Sequence, residues 1–352
     1  MRIAFSEPNI RDNANMMMKK DLWFRCYPLA FGDLFISIQR NWWRTFLNLS
    51  HVLQKSRIKL KVATILNAMN NESLMTAGYP LTGTVSNLMR TFVEIDNVAS
   101  RLQQCAGNPC LLLTLDAPPQ DALPIATGVT QCQSWLETHD GASVIAVRCY
   151  SAGGQLIQCC GHGLLAAAHS WQRQLQCEVV ELSMNGSVLF SWREGDITWL
   201  RFAPMRMHDE VVPDWLPQVF SGSQQACVAA NVGEASDYLV LQWPDGFDLS
   251  CLPRPAATLA QWTNRALICT TAQPEWGEGA VQLRYFAPQY GVLEDAATGS
   301  AMRVLAQYWS SRFSQLTAYQ CSPAGGLLLS RRTAAHIDVG GRCVNATERF
   351  YD

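Results

Sequence analysis

Two glycine-led helical stretches set 138 residues apart constrain this 352-residue chain more than any other feature in it. The first reads Cys160-Gly161-His162-Gly163-Leu164-Leu165-Ala166-Ala167-Ala168-His169-Ser170-Trp171. The second reads Thr298-Gly299-Ser300-Ala301-Met302-Arg303-Val304-Leu305-Ala306-Gln307-Tyr308-Trp309. In register, Gly161 falls on Gly299, His162 on Ser300, Ala168 on Ala306 and Trp171 on Trp309. Each copy follows a strand-like run, Arg148-Cys149-Tyr150 or Arg284-Tyr285-Phe286, and opens an apolar helical run. Self-similarity at one long spacing predicts a duplicated unit. Here that unit is a strand, a glycine turn and a buried helix, used twice.

A glycine at a helix start lets backbone approach a ligand closely. The first N–H groups of a helix have no partner within it and carry partial positive charge. Two such starts facing one another would clamp carboxylate or enolate oxygens. Two glycine-capped core helices with no ligand are the plainer alternative, and the pattern leaves it open. Polar neighbours favour the clamp. Glu294 and Asp295 stand just before the second glycine, His162 follows the first, and Ser300 follows the second. An acid, an imidazole and a hydroxyl near two facing helix starts suit proton transfer. The chain has no GxxxxGK[ST] loop and no GxGxxG following a strand, so no nucleotide cofactor is expected.

Several motifs then converge. Glu294-Asp295-Ala296-Ala297-Thr298-Gly299-Ser300-Ala301 resembles the acid-Asp-Pro-x-Thr-Gly-Ser-Ala signature of the PhzF-like (phenazine biosynthesis) family. Cys160-Gly161-His162 resembles that family's Cys-Gly-His helix start, and Gly107-Asn108-Pro109-Cys110 its N-terminal Gly-Asn-Pro turn. Arg284-Tyr285-Phe286-Ala287-Pro288 is similar to its Arg-x-Phe-x-Pro approach strand. The order agrees, and the resemblance covers about residues 89 to 345. It implies an α+β, diaminopimelate-epimerase-like fold: two pseudo-symmetric lobes, each a mixed sheet wrapped around a central helix, with the site between them. It also implies cofactor-independent proton movement on small carboxylates. His162 and Asp295 would be the catalytic pair. Gly161, Gly299 and Ser300 would bind the substrate carboxylate, and Asn108 would shape the cleft. A homodimer is compatible with the resemblance, although the sequence carries no signal for one.

One departure bears on activity. The family's catalytic Glu lies in a Ser-Glu-Thr-Ala-Phe stretch, where this chain reads Gln131-Cys132-Gln133-Ser134-Trp135-Leu136. Aligning Trp135 with the Phe puts Cys132 in place of the Glu, with Glu137 five residues on. A Gln exchanges no proton near neutral pH, whereas a thiol with a lowered pKa does. Three outcomes stay open: Cys132 takes over, His162 or Asp295 does the work, or the reaction is lost and a carboxylate-binding protein remains. Racemases of this fold place a Cys before each glycine. This chain has Cys160 at the first place and Thr298 at the second, which argues against a two-thiol racemase. A one-thiol dehydratase or epimerase with Cys160 as base stays open.

Composition sets outer limits. Hydrophobic residues make up 48% and charged residues 16%, which is a folded rather than a disordered balance. A net charge of −2 gives no argument for nucleic-acid binding, none is expected, and no run of eighteen apolar residues suggests a membrane span. Thirteen scattered Cys, with no CxxC, no zinc spacing and no secretory leader pattern, predict reduced thiols in the cytoplasm and no metal.

Residues 1–88 differ from the rest. They hold all five Lys and a net charge of +6, against −8 for residues 89–352. The favoured reading is an over-long start-site assignment before Met89; a functional basic extension is the alternative. The expected lobes are 89–204 and 205–352. Asn185-Gly186 and Glu194-Gly195 predict hairpin turns, Gly340-Gly341 predicts another, and residues 205–223 read as a crossover. His169 reads as structural.

Overall fold

The computed structural model describes residues 85–95, 105–119, 128–139, 142–220, 228–233, 237–255 and 258–345. They belong to one compact unit, Pro80–Asp352. Expectations for residues 1–84 lie outside the described residues. The elements begin with β1 (Val85–Val93), β2 (Asn108–Leu115), β3 (Thr130–His139), β4 (Ala142–Tyr150) and the short β5 (Leu156–Ile157). The helix α1 (Gly161–Gln174) leads to β6 (Val179–Met184), β7 (Ser187–Glu194) and β8 (Ile197–Phe202). Next come β9 (Met207–Glu210), α2 (Leu216–Val219), β10 (Val228–Val232), β11 (Tyr238–Gln242), α3 (Leu259–Trp262) and β12 (Ala266–Ala272). The chain continues with β13 (Ala280–Phe286), α4 (Gly299–Tyr308), β14 (Gln315–Gln320), β15 (Gly326–Arg332) and β16 (Ile337–Asn345).

The strands form one mixed sheet with few helices on it. Its first part closes. β1, β2, β3, β4, β6, β7, β8 and β16 pair in that order, and β16 pairs back onto β1. α1 packs against all eight of these strands. Its sequence explains why it fits. Every residue from Gly161 to His169 is buried, and the run is mostly Gly, Ala and Leu. A helix with no polar face needs cover on all sides, and small side chains let strands come close.

The same order of strand pairings occurs twice along the chain. β2–β3 is parallel, β3–β4 antiparallel, β4–β6 parallel, and β6–β7 and β7–β8 antiparallel. β11–β12 is parallel, β12–β13 antiparallel, β13–β14 parallel, and β14–β15 and β15–β16 antiparallel. α1 sits between β4 and β6 in the chain, as α4 sits between β13 and β14. The repeated tryptophans take matching partners. Trp171 Nε1 donates to Ser134 Oγ on β3 at 3.0 Å, and Trp309 Nε1 donates to Thr270 Oγ1 on β12 at 3.1 Å. A buried indole N–H needs such a partner, so each helix is pinned to its strand at the same place.

Several local readings change. β1 begins at Val85, four residues before Met89, and Val85–Leu88 pair with Leu111–Thr114. The expected crossover at 205–223 contains β9 and α2. The Asn185-Gly186 turn forms as expected, with both residues at positive φ. The next hairpin turns at Gly195-Asp196, since Glu194 still pairs with Ile197. Gly340-Gly341 is not a turn, because both lie inside the continuous strand β16. They are glycine because aromatic rings lie across them, Trp199 over Gly340 and Phe92 over Gly341. His169 is buried and meets Thr198 Oγ1 through Nδ1 at 3.2 Å. Burial, helped by Arg173 and Arg193, pushes its pKa down to about 4, so it stays neutral at pH 7. Among the described residues, no helix is long and apolar enough to cross a membrane.

A methyl on Gly340 would stand 2.6 Å from the Trp199 ring. Gly340→Ala is expected to cost about 1–3 kcal/mol, the usual range for overpacking a core. Urea denaturation should show a lower midpoint at unchanged slope; an unchanged midpoint would contradict the ring-over-glycine packing.

Candidate active site

The two helix starts meet backbone to backbone. A Cβ on Gly161 would lie 2.8 Å from Gly299 Cα, and a Cβ on Gly299 would lie 3.0 Å from Gly161 Cα. No side chain fits between them, which is why both repeats open on glycine. The residues before the two glycines have nearly the same backbone: Cys160 at φ −118° and ψ 87°, Thr298 at φ −120° and ψ 100°. Phe92 closes the junction. It is fully buried, its ring lies against Gly299, and it holds φ at 59° where β1 bulges against β16. A bulky residue at positive φ is costly and persists only where its surroundings enforce it.

On the α4 side, Asp295 organises the approach. Its Oδ1 accepts from Asn108 Nδ2 at 2.9 Å and from the Ala296 N–H at 2.9 Å; its Oδ2 accepts from Thr298 Oγ1 at 2.7 Å. Asn108 Nδ2 also donates to the Ala297 carbonyl at 2.8 Å, tying β2 to the segment that enters α4. Gln320 completes the frame. Its amide nitrogen donates to the Asp295 carbonyl at 2.7 Å and its oxygen accepts the Thr298 N–H at 2.8 Å. Ser300 is 9% exposed, and the Tyr238 hydroxyl reaches it from β11. Tyr285 stands on the same side, within electrostatic range of both Tyr238 and Asp295. Glu294, next to Asp295, takes no part. Its side chain is 2% exposed and bonded to Arg284 Nε at 2.7 Å and Arg254 Nε at 2.8 Å.

On the α1 side lies a group of thiols. Cys160 Sγ is 3.7 Å from His162 Nδ1, with both residues buried. Cys149 on β4, Cys132 on β3 and Cys110 on β2 are fully buried around it. Cys132 pairs directly across from Cys149 and donates to the Gly163 carbonyl at 3.4 Å. The thiols polarise one another. The Cys149 S–H holds Cys160 well below the usual thiol range against the penalty of burial, and the His162 charge adds to this. Cys110 and Cys149 bring Cys132 down to about 6, again against burial. Burial favours neutral His162, but the Cys160 thiolate and its hydrogen bond, with Asp295 and Cys132, overrule it and raise its pKa to about 9. The ionised form is thus a buried thiolate–imidazolium pair.

The sequence-predicted residues are therefore placed as follows. His162, Cys160, Asp295, Gly161, Gly299, Ser300 and Asn108 gather at the junction of the helix starts. Cys132 lies beneath α1, within electrostatic range of His162. Glu137 is bound by the Trp135 indole at 2.8 Å instead. Among the described residues, no group of three or more His, Cys, Asp or Glu is placed to hold a metal ion.

A family model described as phenazine biosynthesis-like protein, PhzC-PhzF, matches residues 136–349. The chain belongs to that family. Its family relatives include phenazine biosynthesis-like domain-containing protein 1 of Mus musculus, 30% identical over 54% of this chain and 71% of the relative. An uncharacterized isomerase of Vibrio cholerae is 32% identical over 64% of this chain and 79% of its own length. Another, from Pseudomonas aeruginosa, is 30% identical over 72% of this chain and 95% of its own. In structure, a PhzF-family protein of Enterococcus faecalis superposes with TM-score 0.59 at 19% identity, covering 74% of this chain and 96% of that one. A predicted epimerase of P. aeruginosa superposes at 0.52 and 18%, covering 74% and 96%. These likenesses show the fold.

Within this PhzF-family fold, four residues at the junction escaped the sequence motifs: Cys149, Tyr238, Gln320 and, as a partner of Asp295, Thr298. Cys149 had a signal of a kind, since it sits in the strand before the first repeat, at the place of Tyr285 in the strand before the second. Tyr238 and Gln320 had none.

The pair can be tested by titration. Because its folded pKa lies above the ordinary 6.5, His162 contributes stability that is complete below pH 6.5 and lost as pH rises through about 9. NMR of the imidazole should find that midpoint in the wild type. In Cys160→Ser the thiolate is gone and burial acts with less opposition, so the midpoint should fall. An equal midpoint in both proteins would refute the pairing.

Proposed function

We propose that this protein is a cofactor-independent isomerase that moves a proton between carbons of a small carboxylate metabolite. The observation that carries the reading is the contact between Gly161 and Gly299, which brings His162 from one helix start beside Ser300 and Asp295 from the other. The reading includes two pseudo-symmetric lobes, about 89–204 and 205–352, with α1 and α4 as their central helices and the site between them. The repeated pairing pattern supports it. So do the two relatives named as isomerases.

The chemistry follows from the groups present. The free N–H groups at the α4 start and the Ser300 hydroxyl would hold the substrate carboxylate. They would also stabilise the negative charge that spreads onto it when a neighbouring carbon loses its proton. One group can do both: the neutral His162 imidazole takes that proton from one carbon and, as the imidazolium its neighbours favour, returns it to the other. Asp295 accepts three hydrogen bonds and acts as a fixed negative charge that favours the imidazolium. No group outside the chain is needed for these steps.

A second reading is a dehydratase or epimerase with Cys160 as base. The 3.7 Å approach of Cys160 Sγ to His162 favours it, because the pair already holds a base and an acid of opposite charge. In a dehydration, the thiolate would take the proton beside the carboxylate, and the hydroxyl on the next carbon would leave as water with the proton of His162. The absence of the family Glu at Cys132 gives this reading weight, since a thiolate supplies the missing base.

Deuterium exchange separates the possibilities. The full chain in D2O is incubated with dihydroaromatic, hydroxyproline and amino-acid carboxylates, and incorporation at carbon is followed by NMR. His162→Ala and Asp295→Asn are expected to reduce incorporation by about 10²-fold or more with the fold kept. Ser300→Ala should weaken carboxylate binding. Cys160→Ser should abolish exchange only if the thiol is the base. A folded protein that binds a carboxylate and exchanges nothing would overturn both enzymatic readings in favour of a binding protein.

A further inference from the structure

The thiol beneath the helix start has a neighbour that no motif assigns. Gly163, the third residue of α1, is where the two sulfurs meet: a Cβ there would stand 2.5 Å from Cys149 Sγ and 2.9 Å from Cys160 Sγ. Any side chain at 163 would push one or both sulfurs away. Gly163 therefore does more than start a helix; it leaves a cradle for two thiols against its backbone. Cys149 is delivered to that cradle by β4, whose register places it directly across from Cys132 on β3. Cys149 is fully buried, shares the Gly163 cradle with Cys160 and faces Cys132 across the strand pairing.

We infer that Cys149 is a positioning residue for Cys160: its S–H, admitted by the missing side chain of Gly163, donates to the Cys160 sulfur and holds it as the thiolate partner of His162. The inference rests on the site described above and deepens the Cys160 reading. Proton bookkeeping is simple. Cys149 keeps its proton and shares it, Cys160 gives its proton to His162, and the pair is neutral overall. Other charges face Cys160 as well. His162 comes from α1, Cys132 from β3 and Cys110 from β2 by way of Cys132, while Cys159 precedes it in the chain. The Gly163 amide adds a further favourable dipole for the thiolate. In a fully buried setting an anion without donors would be protonated, so loss of the Cys149 donor should neutralise Cys160. The same donor explains why Cys149 itself resists ionisation: its proton is the one held between sulfurs.

The test reads the thiolate directly. Full-length wild type and Cys160→Ser are titrated by absorbance near 240 nm, and their difference gives the Cys160 thiolate. The comparison is repeated with Cys149→Ala and Cys149→Ser. Cys149→Ala is expected to raise the Cys160 midpoint by about one pH unit or more, a tenfold loss of thiolate at fixed pH. The His162 NMR midpoint should fall with it. Cys149→Ser keeps an O–H donor and should restore the thiolate. Equal shifts in both variants, or no shift in Cys149→Ala, would overturn the inference. If Cys149→Ala does not fold, Cys149→Ser alone decides, since a midpoint raised by a unit in the presence of a hydroxyl donor would contradict the role. The readout needs no turnover, so a negative deuterium-exchange result leaves it standing, and the two failures remain distinct.

Discussion

Everything at the site depends on one non-bonded contact, the approach of Gly161 and Gly299 Cα to Cα. Two helices of ordinary composition would keep their starts several ångströms further apart, because a β-carbon on either would strike the other's backbone. Removing both lets two sets of unpaired N–H groups share one small volume. The electrostatic result is a concentration of positive potential, to which thiolate and carboxylate groups respond. Cys160, directly before Gly161, and Asp295, four residues before Gly299, both act on His162. His162 lies between them and takes the proton.

The contact imposes costs that the rest of the fold absorbs. Phe92 is held at a positive φ to fill the space beside the glycines, and β1 bulges to allow it. Gly341 is then required on β16 because the Phe92 ring occupies the room of its side chain. One close approach thus dictates residues on β1, β16, α1 and α4, which are far apart in the chain. Asn108 and Gln320 have the same origin. They tie the entry to α4 from β2 and β14, and so hold the second helix start against the first.

Much of this was legible in the sequence because it repeats. The glycine-led runs announced two equivalent helices, and Trp171 and Trp309 turned out to bind equivalent strand hydroxyls. Local chemistry was equally readable where backbone demands were local, as at Asn185-Gly186. It misled where a glycine answers to a distant side chain. Gly340-Gly341 has the composition of a turn, yet the rings of Trp199 and Phe92, some 140 and 250 residues earlier, account for it. Glu294 looked like a second acid beside Asp295, but two arginines, one of them 40 residues upstream, consume it. The thiol group was invisible for the same reason. Cys110, Cys132, Cys149 and Cys160 come from three strands and a helix start, and only strand register puts their sulfurs together.

The ring around α1 has its own implication for how the chain reaches this state. Seven of its eight strands come from residues 85–202, but β16, which joins β8 to β1, is residues 337–345. During synthesis the first helix and its strands emerge long before the strand that seals them. Until then the sheet has two open edges, and a helix without a polar face has incomplete cover. Such intermediates have high contact order, fold slowly and attract edge-to-edge association. The strands around α1 are therefore complete only when residues 337–345 are in place, so the cover of a helix made early depends on a strand made last.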